Sequence, residues 1–147
     1  MTNKANAFAG RDSGSQGRIL VVSDEPNIRR ALRIALVASG YEVTDTGTAE
    51  VPLKLRAPTE PDLVLLDNDI SDNTGMETCR QIRNSCGAAI IVMGGGNLEE
   101  TRARAFQAGA DDHIGKPFGF PKIMAFIRAN MVRGRTLSLV QAGTSLH

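Results

Sequence analysis

The chain has 147 residues, 41% of them hydrophobic, and its 17 basic and 16 acidic side chains leave a formal net charge of +1. That length suits one ordinary domain with a single core. The near balance of charge excludes binding to nucleic acid or to a membrane surface by net charge alone. The longest apolar run, residues 88–93, is far too short to cross a bilayer. The two cysteines form no disulfide or metal-ligand pattern, so we expect reduced thiols in a cytoplasmic protein.

The N-terminal part of the sequence predicts a leader, a strand, a helix and a second strand. Residues 1–17 are rich in Gly, Ser, Asn and Ala without periodicity, and we expect a mobile leader. The apolar run 19–22 is typical of a buried strand, and residues 41–45 predict a second one. Pro26 suits the first turn of the helix between them, and Gly40 its end. One face of this helix carries Ile28, Ala31, Leu32, Ala35 and Leu36.

The rest of the sequence alternates between apolar runs and helical patterns. Further strands are predicted at residues 62–67, 88–93 and 112–115. Further helices are predicted at residues 48–56, 74–85, 97–109 and from Pro121 to about residue 133. Five strands that alternate with five helices indicate an α/β fold with a parallel sheet covered on both faces. Residues 134–147 show no helix or strand pattern, and we expect a tail too short for a second domain.

Polar residues follow the predicted strands at the points where the strands end. In an open parallel sheet, ligands bind outside the carboxyl ends of the strands. Those ends carry Ser23-Asp24-Glu25, Asp67-Asn68-Asp69, Gly94-Gly95-Gly96 and Lys116-Pro117. Carboxylates from two strands make an oxygen site suited to Mg²⁺, and a lysine from a third supplies positive charge for a phosphoryl group. A carboxylate beside both can act as a nucleophile and become an aspartyl phosphate.

Three segments make the sequence similar to a known family. ILVVSDEPNIRRALRIAL at 19–36, PDLVLLDNDISDNTGMETCRQIR at 61–83 and AGADDHIGKPFGF at 108–120 resemble the receiver domains of bacterial two-component response regulators. The likeness is strongest to the OmpR-like subfamily, which joins a receiver to a winged-helix DNA-binding domain. It covers residues 18–133 and implies a single flavodoxin-like (βα)5 domain, a doubly wound sheet of five parallel strands.

The resemblance implies a role for each matching residue. Asp67 matches the phosphoacceptor, and Asp24 matches the acidic residue that binds Mg²⁺ directly. Asp69 holds the position that offers its backbone carbonyl to the metal. Lys116 matches the phosphate-binding lysine, and its bond to Pro117 is expected to be cis. A sensor histidine kinase would supply the phosphoryl group, with the helix after the first strand forming much of its docking face.

Four positions depart from the family pattern. Ser23 stands where the first residue of the acidic pair is normally Asp, and Ser71 replaces a common Pro. Gly94 stands where a Thr or Ser hydroxyl normally binds a phosphoryl oxygen, although the backbone N–H of Gly95 can still do so. His113 holds the usual Tyr or Phe switch position, and we interpret it as a polar residue at the strand edge. Because Gly94 has no hydroxyl to move, we expect an atypical and impaired switch.

The resemblance also bears on self-association. OmpR-like receivers dimerise through charged pairs formed by the helix and strand before the last helix and by that helix itself. Arg102 matches the basic member of one pair, but Lys122 stands where its acidic partner belongs. Asp112 matches the acidic member of another, but Phe126 stands where its basic partner belongs. We therefore expect a monomer or a homodimer of another kind.

The sequence thus predicts a signalling receiver that is not an enzyme beyond self-phosphorylation and self-dephosphorylation at Asp67. Its partners would be a sensor histidine kinase and an effector domain or downstream protein, without direct binding to nucleic acid or membrane by this chain. One alternative is a pseudo-receiver, a protein-interaction module that is never phosphorylated. The other is a phosphohydrolase of the haloacid-dehalogenase type, in which Asp67 would be the nucleophile and Asp69 the general acid/base.

Overall fold

The computed structural model describes residues 15–47, 60–68, 75–95 and 98–143, the last twelve of these by their backbone alone. The described part contains five strands and four helices. The strands are β1 (Arg18–Val22), β2 (Glu42–Thr46), β3 (Leu63–Asp67), β4 (Ala89–Gly94) and β5 (Asp112–Gly115). The helices are α1 (Pro26–Ala38), α2 (Gly75–Ser85), α3 (Leu98–Gln107) and α4 (Phe120–Gly143).

The five strands form one parallel sheet in the order β2-β1-β3-β4-β5. The order reverses at β1, which lies between β2 and β3, so the chain is wound in both directions from that strand. At the carboxyl edge, Val22 pairs with Leu66, and Asp67 pairs with Met93. The predicted doubly wound, flavodoxin-like α/β fold is therefore confirmed.

The side chains of the central strands bury apolar surface on both faces of the sheet. In β3, Leu63 and Leu65 face one core, whereas Val64 and Leu66 face the other. The first core is closed by α1 and α4, and the second by α2 and α3. A strand covered on both faces reads as a continuous apolar run, and this explains why β1, β3 and β4 were recognisable in the sequence.

The predicted limits of α1 are also confirmed. Pro26 occupies its first turn, where the missing N–H costs no helical hydrogen bond. Gly40 has φ +96° and turns the chain back toward β2, with its N–H donating to Val37 O at 3.0 Å. A residue with a Cβ atom is strained in this conformation, so glycine is required at the end of the helix.

Two predictions about the chain ends need correction. The expected mobile leader includes residues 15–17, yet Gln16 N–H donates to Gly40 O and Gly17 O accepts from Glu42 N–H, both at 2.9 Å. The expected patternless tail begins inside α4, which continues to Gly143. Extending an existing helix costs far less than nucleating one, so this segment is helical without a strong pattern of its own. The predicted helix at 48–56 lies outside the described residues, as do Asp69 and Ser71.

Within the described residues, no helix combines the length and the apolar character that a membrane span requires.

Two isoleucines provide a matched test of the core. Ile91 in β4 is fully buried, whereas Ile34 in α1 is 63% exposed. We expect Ile91→Ala to lower the free energy of unfolding by about 2–5 kcal/mol, because it removes buried methyl groups and leaves a cavity. Ile34→Ala should change it by less than about 0.5 kcal/mol. Urea denaturation measures both, and equal losses would contradict the described packing.

Candidate functional site

The carboxyl ends of β1, β3, β4 and β5 bring the predicted site residues to one edge of the sheet. Ser23 and Asp24 follow β1, Asp67 is the last residue of β3, and Lys116 follows β5. Backbone bonds hold these ends together: Asn68 N–H donates to Met93 O at 2.8 Å, and Lys116 N–H donates to Gly94 O at 2.7 Å. Residues that are up to 93 positions apart in the chain therefore share one site only because the strands are neighbours.

Asp67 lies at the centre of this site with its side chain fully buried. The ammonium group of Lys116 donates to Asp67 Oδ1 at 2.7 Å, and the hydroxyl of Ser23 donates to Asp67 Oδ2 at 2.8 Å. Burying a carboxylate without partners is costly, and these two donors offset part of that cost. The arrangement presents a carboxylate with a cation beside it, which is the chemistry that an aspartyl phosphate needs.

The backbone of its own loop holds Ser23 in place. The Ser23 side chain is fully buried, and its Oγ accepts a hydrogen bond from Glu25 N–H at 3.2 Å. Arg29 on α1 donates to Ser23 O at 2.8 Å. The sequence identified Ser23 only as the loss of a carboxylate, but the structure makes it a direct donor to Asp67. No spacing in the sequence could have revealed this contact between residues 44 positions apart.

Of the three predicted metal ligands, the structure describes Asp24 and Asp67 but not Asp69. Asp24 directly follows Ser23, whose hydroxyl donates to Asp67, so its backbone lies at the same edge of the sheet. Among the described residues, no group of three or more His, Cys, Asp or Glu side chains is placed to hold a metal ion. Carboxylate oxygens of the kind that Asp24 and Asp67 offer are ligands suited to a hard cation such as Mg²⁺.

The altered positions Gly94 and His113 lie side by side. A Cβ atom on residue 94 would be 3.3 Å from His113 Nε2 and 3.2 Å from Asn68 Cβ. The methyl group of Thr101 would lie 3.3 Å from it on a further side. Around Gly95, in contrast, such an atom would meet nothing within 4 Å. The space that a side chain at position 94 would need is therefore bordered closely by the imidazole.

His113 lies on β5, the edge strand of the sheet, as interpreted, but it is buried there and not an ordinary surface residue. The residue is only 4% exposed, and its buried Nε2 atom has no hydrogen-bond partner among the described residues. Burial lowers the pKa of this imidazole, and the nearby Arg102 lowers it further, while Asp112 acts in the opposite direction. The lowered pKa favours the neutral imidazole, and leaving its buried Nε2 without a hydrogen-bond partner costs roughly 1–3 kcal/mol.

The predicted dimer face contains two exposed cations and two residues held within the protomer. Arg102 and Lys122 are exposed. Phe126 is partly buried and packs against the first core. Asp112 Oδ2 accepts a hydrogen bond from Asn130 Nδ2 at 3.0 Å. No motif or spacing in the sequence predicts this contact with the buried Asn130. Both members of the second charged pair are thus engaged internally.

An apolar groove of about 560 Å³ opens beside the site. Its walls are α1, through Ile28 and Leu32, and the segment from Lys116 to Phe120. The Lys116–Pro117 peptide bond in this segment is cis, as the resemblance implied. The groove therefore connects the lysine that binds Asp67 with the first helix.

The fold and this site define a flavodoxin-like α/β domain with a buried acid–lysine pair at the carboxyl edge of its sheet. The sequence profile described as "Response regulator receiver domain" matches residues 19–128, and the chain belongs to this family. It is a receiver domain of the two-component type, and its relatives indicate the OmpR-like kind. Such domains are signalling modules rather than enzymes, and they bind Mg²⁺ beside the phosphorylation site.

Three comparisons illustrate these relationships. The transcriptional regulatory protein KdpE of Mycobacterium tuberculosis is 37% identical over 115 residues, covering 78% of this chain and 51% of the relative. ResD of Bacillus subtilis, also a transcriptional regulatory protein, is 33% identical over 133 residues, covering 90% of this chain and 55% of the relative. A CheY-like receiver domain from Methanospirillum hungatei superposes with a TM-score of 0.73 at 25% identity, covering 83% and 98% of the two chains. The chain thus spans about half the length of KdpE and ResD.

Proposed function

We propose that Asp67 is the phosphoacceptor of this receiver and that a sensor histidine kinase supplies the phosphoryl group. A carboxylate oxygen of Asp67 attacks phosphorus, while the bond from phosphorus to the kinase histidine nitrogen breaks. The observation that carries this proposal is the buried Asp67 carboxylate with Lys116 Nζ 2.7 Å away. The ammonium group of Lys116 can bind a phosphoryl oxygen without moving far, because the phosphoryl group is attached to the carboxylate that this ammonium group already contacts.

The cation of this site is proposed to be Mg²⁺, held by Asp24, Asp67 and the backbone carbonyl of Asp69. When bound, it neutralises the charge that gathers on the phosphoryl oxygens. Ser23 Oγ donates to the same carboxylate at 2.8 Å and contributes no negative charge. We therefore expect weaker cation binding than a second carboxylate at position 23 would give.

The kinase is proposed to dock on α1 and the adjoining groove. Ile28 and Leu32 line this groove together with Phe118 and Phe120, and it leads to Lys116. A partner seated here would bring its phosphohistidine to the carboxyl edge of the sheet.

The phosphorylated chain would then act on an effector domain or a downstream protein, as the regulatory names of KdpE and ResD suggest. We propose a cytoplasmic location, with no direct binding to nucleic acid or membrane by this chain.

Beyond phosphoryl transfer to and from Asp67, no enzymatic activity is proposed. A phosphohydrolase of the haloacid-dehalogenase type would use Asp69 as general acid/base, and that residue lies outside the described part. Asp67 has Lys116 and Ser23 as partners and stands on β3, whereas Ser23-Asp24 already follow the first strand, β1. These features favour a phosphoacceptor over a hydrolase nucleophile.

Phosphorylation of Asp67 can be tested with a small-molecule phosphodonor and Mg²⁺, using intact-mass spectrometry. We expect the wild type to gain one phosphoryl group and Asp67→Asn to gain none, because an amide cannot act as the nucleophile. Glu99→Gln, which changes an exposed carboxylate, serves as the matched control and should behave like the wild type. A wild type that stays unmodified, also with a histidine kinase as donor, would favour the pseudo-receiver.

Ser23→Asp tests the proposed metal site. A second carboxylate beside the buried Asp67 should lower the free energy of unfolding by at least about 1 kcal/mol without metal, and it should tighten Mg²⁺ binding roughly tenfold. Ser23→Ala should lower stability by about 1.5–3 kcal/mol without tightening Mg²⁺, since it only removes a donor to a charged group. Urea unfolding and Mg²⁺ titration provide the data. An unchanged Mg²⁺ affinity in Ser23→Asp, or binding that survives Asp24→Ala, would argue against this site.

The self-association proposal is a monomer, or a homodimer that does not use the charged pairs of OmpR-like receivers. Arg102 and Lys122 are like-charged, Phe126 packs inward, and Asp112 is bound by Asn130. Sedimentation with beryllofluoride, a phosphoryl mimic, should show no charge-paired dimer in the wild type.

Lys122→Glu should shift the equilibrium toward the dimer, because it restores an opposite charge for Arg102. Arg128→Glu changes another exposed cation of α4 and serves as the control. A stable wild-type dimer through Arg102 and Asp112 that Lys122→Glu leaves unchanged would refute the charge argument.

A further inference from the structure

His113 carries a buried polar atom that the proposed phosphorylation does not yet explain. His113 is almost completely buried, and Nε2 has no hydrogen-bond partner in the described part of the chain. Buried polar atoms are nearly always paired, so an unpaired one indicates a strained site or a missing ligand. The nitrogen lies next to Gly94, the last residue of β4.

This nitrogen lies close to Gly94 and to the residue that follows β3. A Cβ atom at position 94 would lie 3.3 Å from His113 Nε2 and 3.2 Å from the Cβ atom of Asn68. Asn68 directly follows Asp67 in the chain. Because residue 94 is glycine, no side chain separates the imidazole from the end of β3 at this point.

Thr101 borders the same space but is poorly placed to act as a donor there. Its methyl group faces position 94, and its hydroxyl donates to Gly95 O at 3.3 Å. Of these two side chains, it is therefore His113 that has a polar atom without a partner, Nε2, next to Gly94. A neutral histidine can carry its hydrogen on Nε2, and a phosphoryl oxygen is a strong acceptor without hydrogens of its own.

We propose that His113 Nε2 donates a hydrogen bond to an oxygen of the phosphoryl group on Asp67, past Gly94, which has no side chain to intervene. The inference rests on the proposed function of Asp67 and adds a phosphoryl-binding residue to it. His113 thereby takes over the contact that a hydroxyl at position 94 would make. The receiver keeps a connection from Asp67 to β5 although the usual hydroxyl is absent.

Three variants of His113 test which nitrogen matters. Glutamine places an amide nitrogen near the position of Nε2, asparagine places one near Nδ1, and phenylalanine keeps a ring without nitrogen. We expect His113→Phe and His113→Asn to bind beryllofluoride, with Mg²⁺ present, at least about tenfold more weakly than the wild type. His113→Gln should retain affinity within about threefold, because it keeps the donor. Fluorine NMR measures the affinities, and urea unfolding checks that each variant is folded.

Equal affinity of His113→Phe and the wild type would overturn the proposal, as would equal losses in the glutamine and asparagine variants. If the wild type, like Asp67→Asn, does not bind beryllofluoride, the proposed function of Asp67 itself fails. If the wild type binds and the His113 variants bind equally well, only the role of His113 fails.

A titration of the wild type gives a test that needs no substitution at His113. An anion next to the imidazole stabilises its protonated form, so the pKa of His113 should rise when beryllofluoride binds. Arg102 and Asp112, the charged groups that act on this imidazole, are present in both states. NMR of the ring protons, with Mg²⁺ alone as the reference, measures the change. A pKa that stays the same in the complex would contradict the proposed hydrogen bond.

Discussion

The charge of the Asp67 carboxylate, buried completely at the end of β3, constrains the rest of the site. A buried carboxylate must have partners, and here they come from two other strands: the Ser23 hydroxyl after β1 and the Lys116 ammonium after β5. The strand order β2-β1-β3-β4-β5 puts β3 between β1 and β4 and lets the loop after β5 reach it. The fold and the chemistry therefore depend on the same arrangement of strand ends.

The replaced residues show how a change at one position alters its neighbours. Ser23 removes a carboxylate from the acidic pair but adds a hydrogen bond to Asp67. Gly94 removes a hydroxyl, and His113 places a nitrogen that has no partner among the described residues close to the same position. The carboxylate missing at position 23 and the hydroxyl missing at position 94 therefore each change the contacts of a neighbouring side chain as well.

Neighbouring side chains also alter the candidate dimer face at Asp112 and Phe126. Phe126 packs against the first core, and Asn130 binds the carboxylate of Asp112 within the protomer. A side chain that satisfies its polar or apolar groups internally gains less from a partner protomer. Intramolecular packing therefore removes one charged pair more completely than the substitution to phenylalanine alone would imply.

The sequence by itself determined the class of fold and the location of the site. Continuous apolar runs of five or six residues are typical of strands covered on both faces, and Pro26 and Gly40 limit α1 through their backbone preferences. These signals are local, so the sequence shows them directly. The segment after residue 133 was misjudged because helix continuation depends on the preceding turns rather than on its own pattern. Only the tertiary structure decided that Ser23 donates to Asp67 and that His113 is buried beside Gly94, because these contacts join residues 44 and 19 positions apart through strand pairing and core packing.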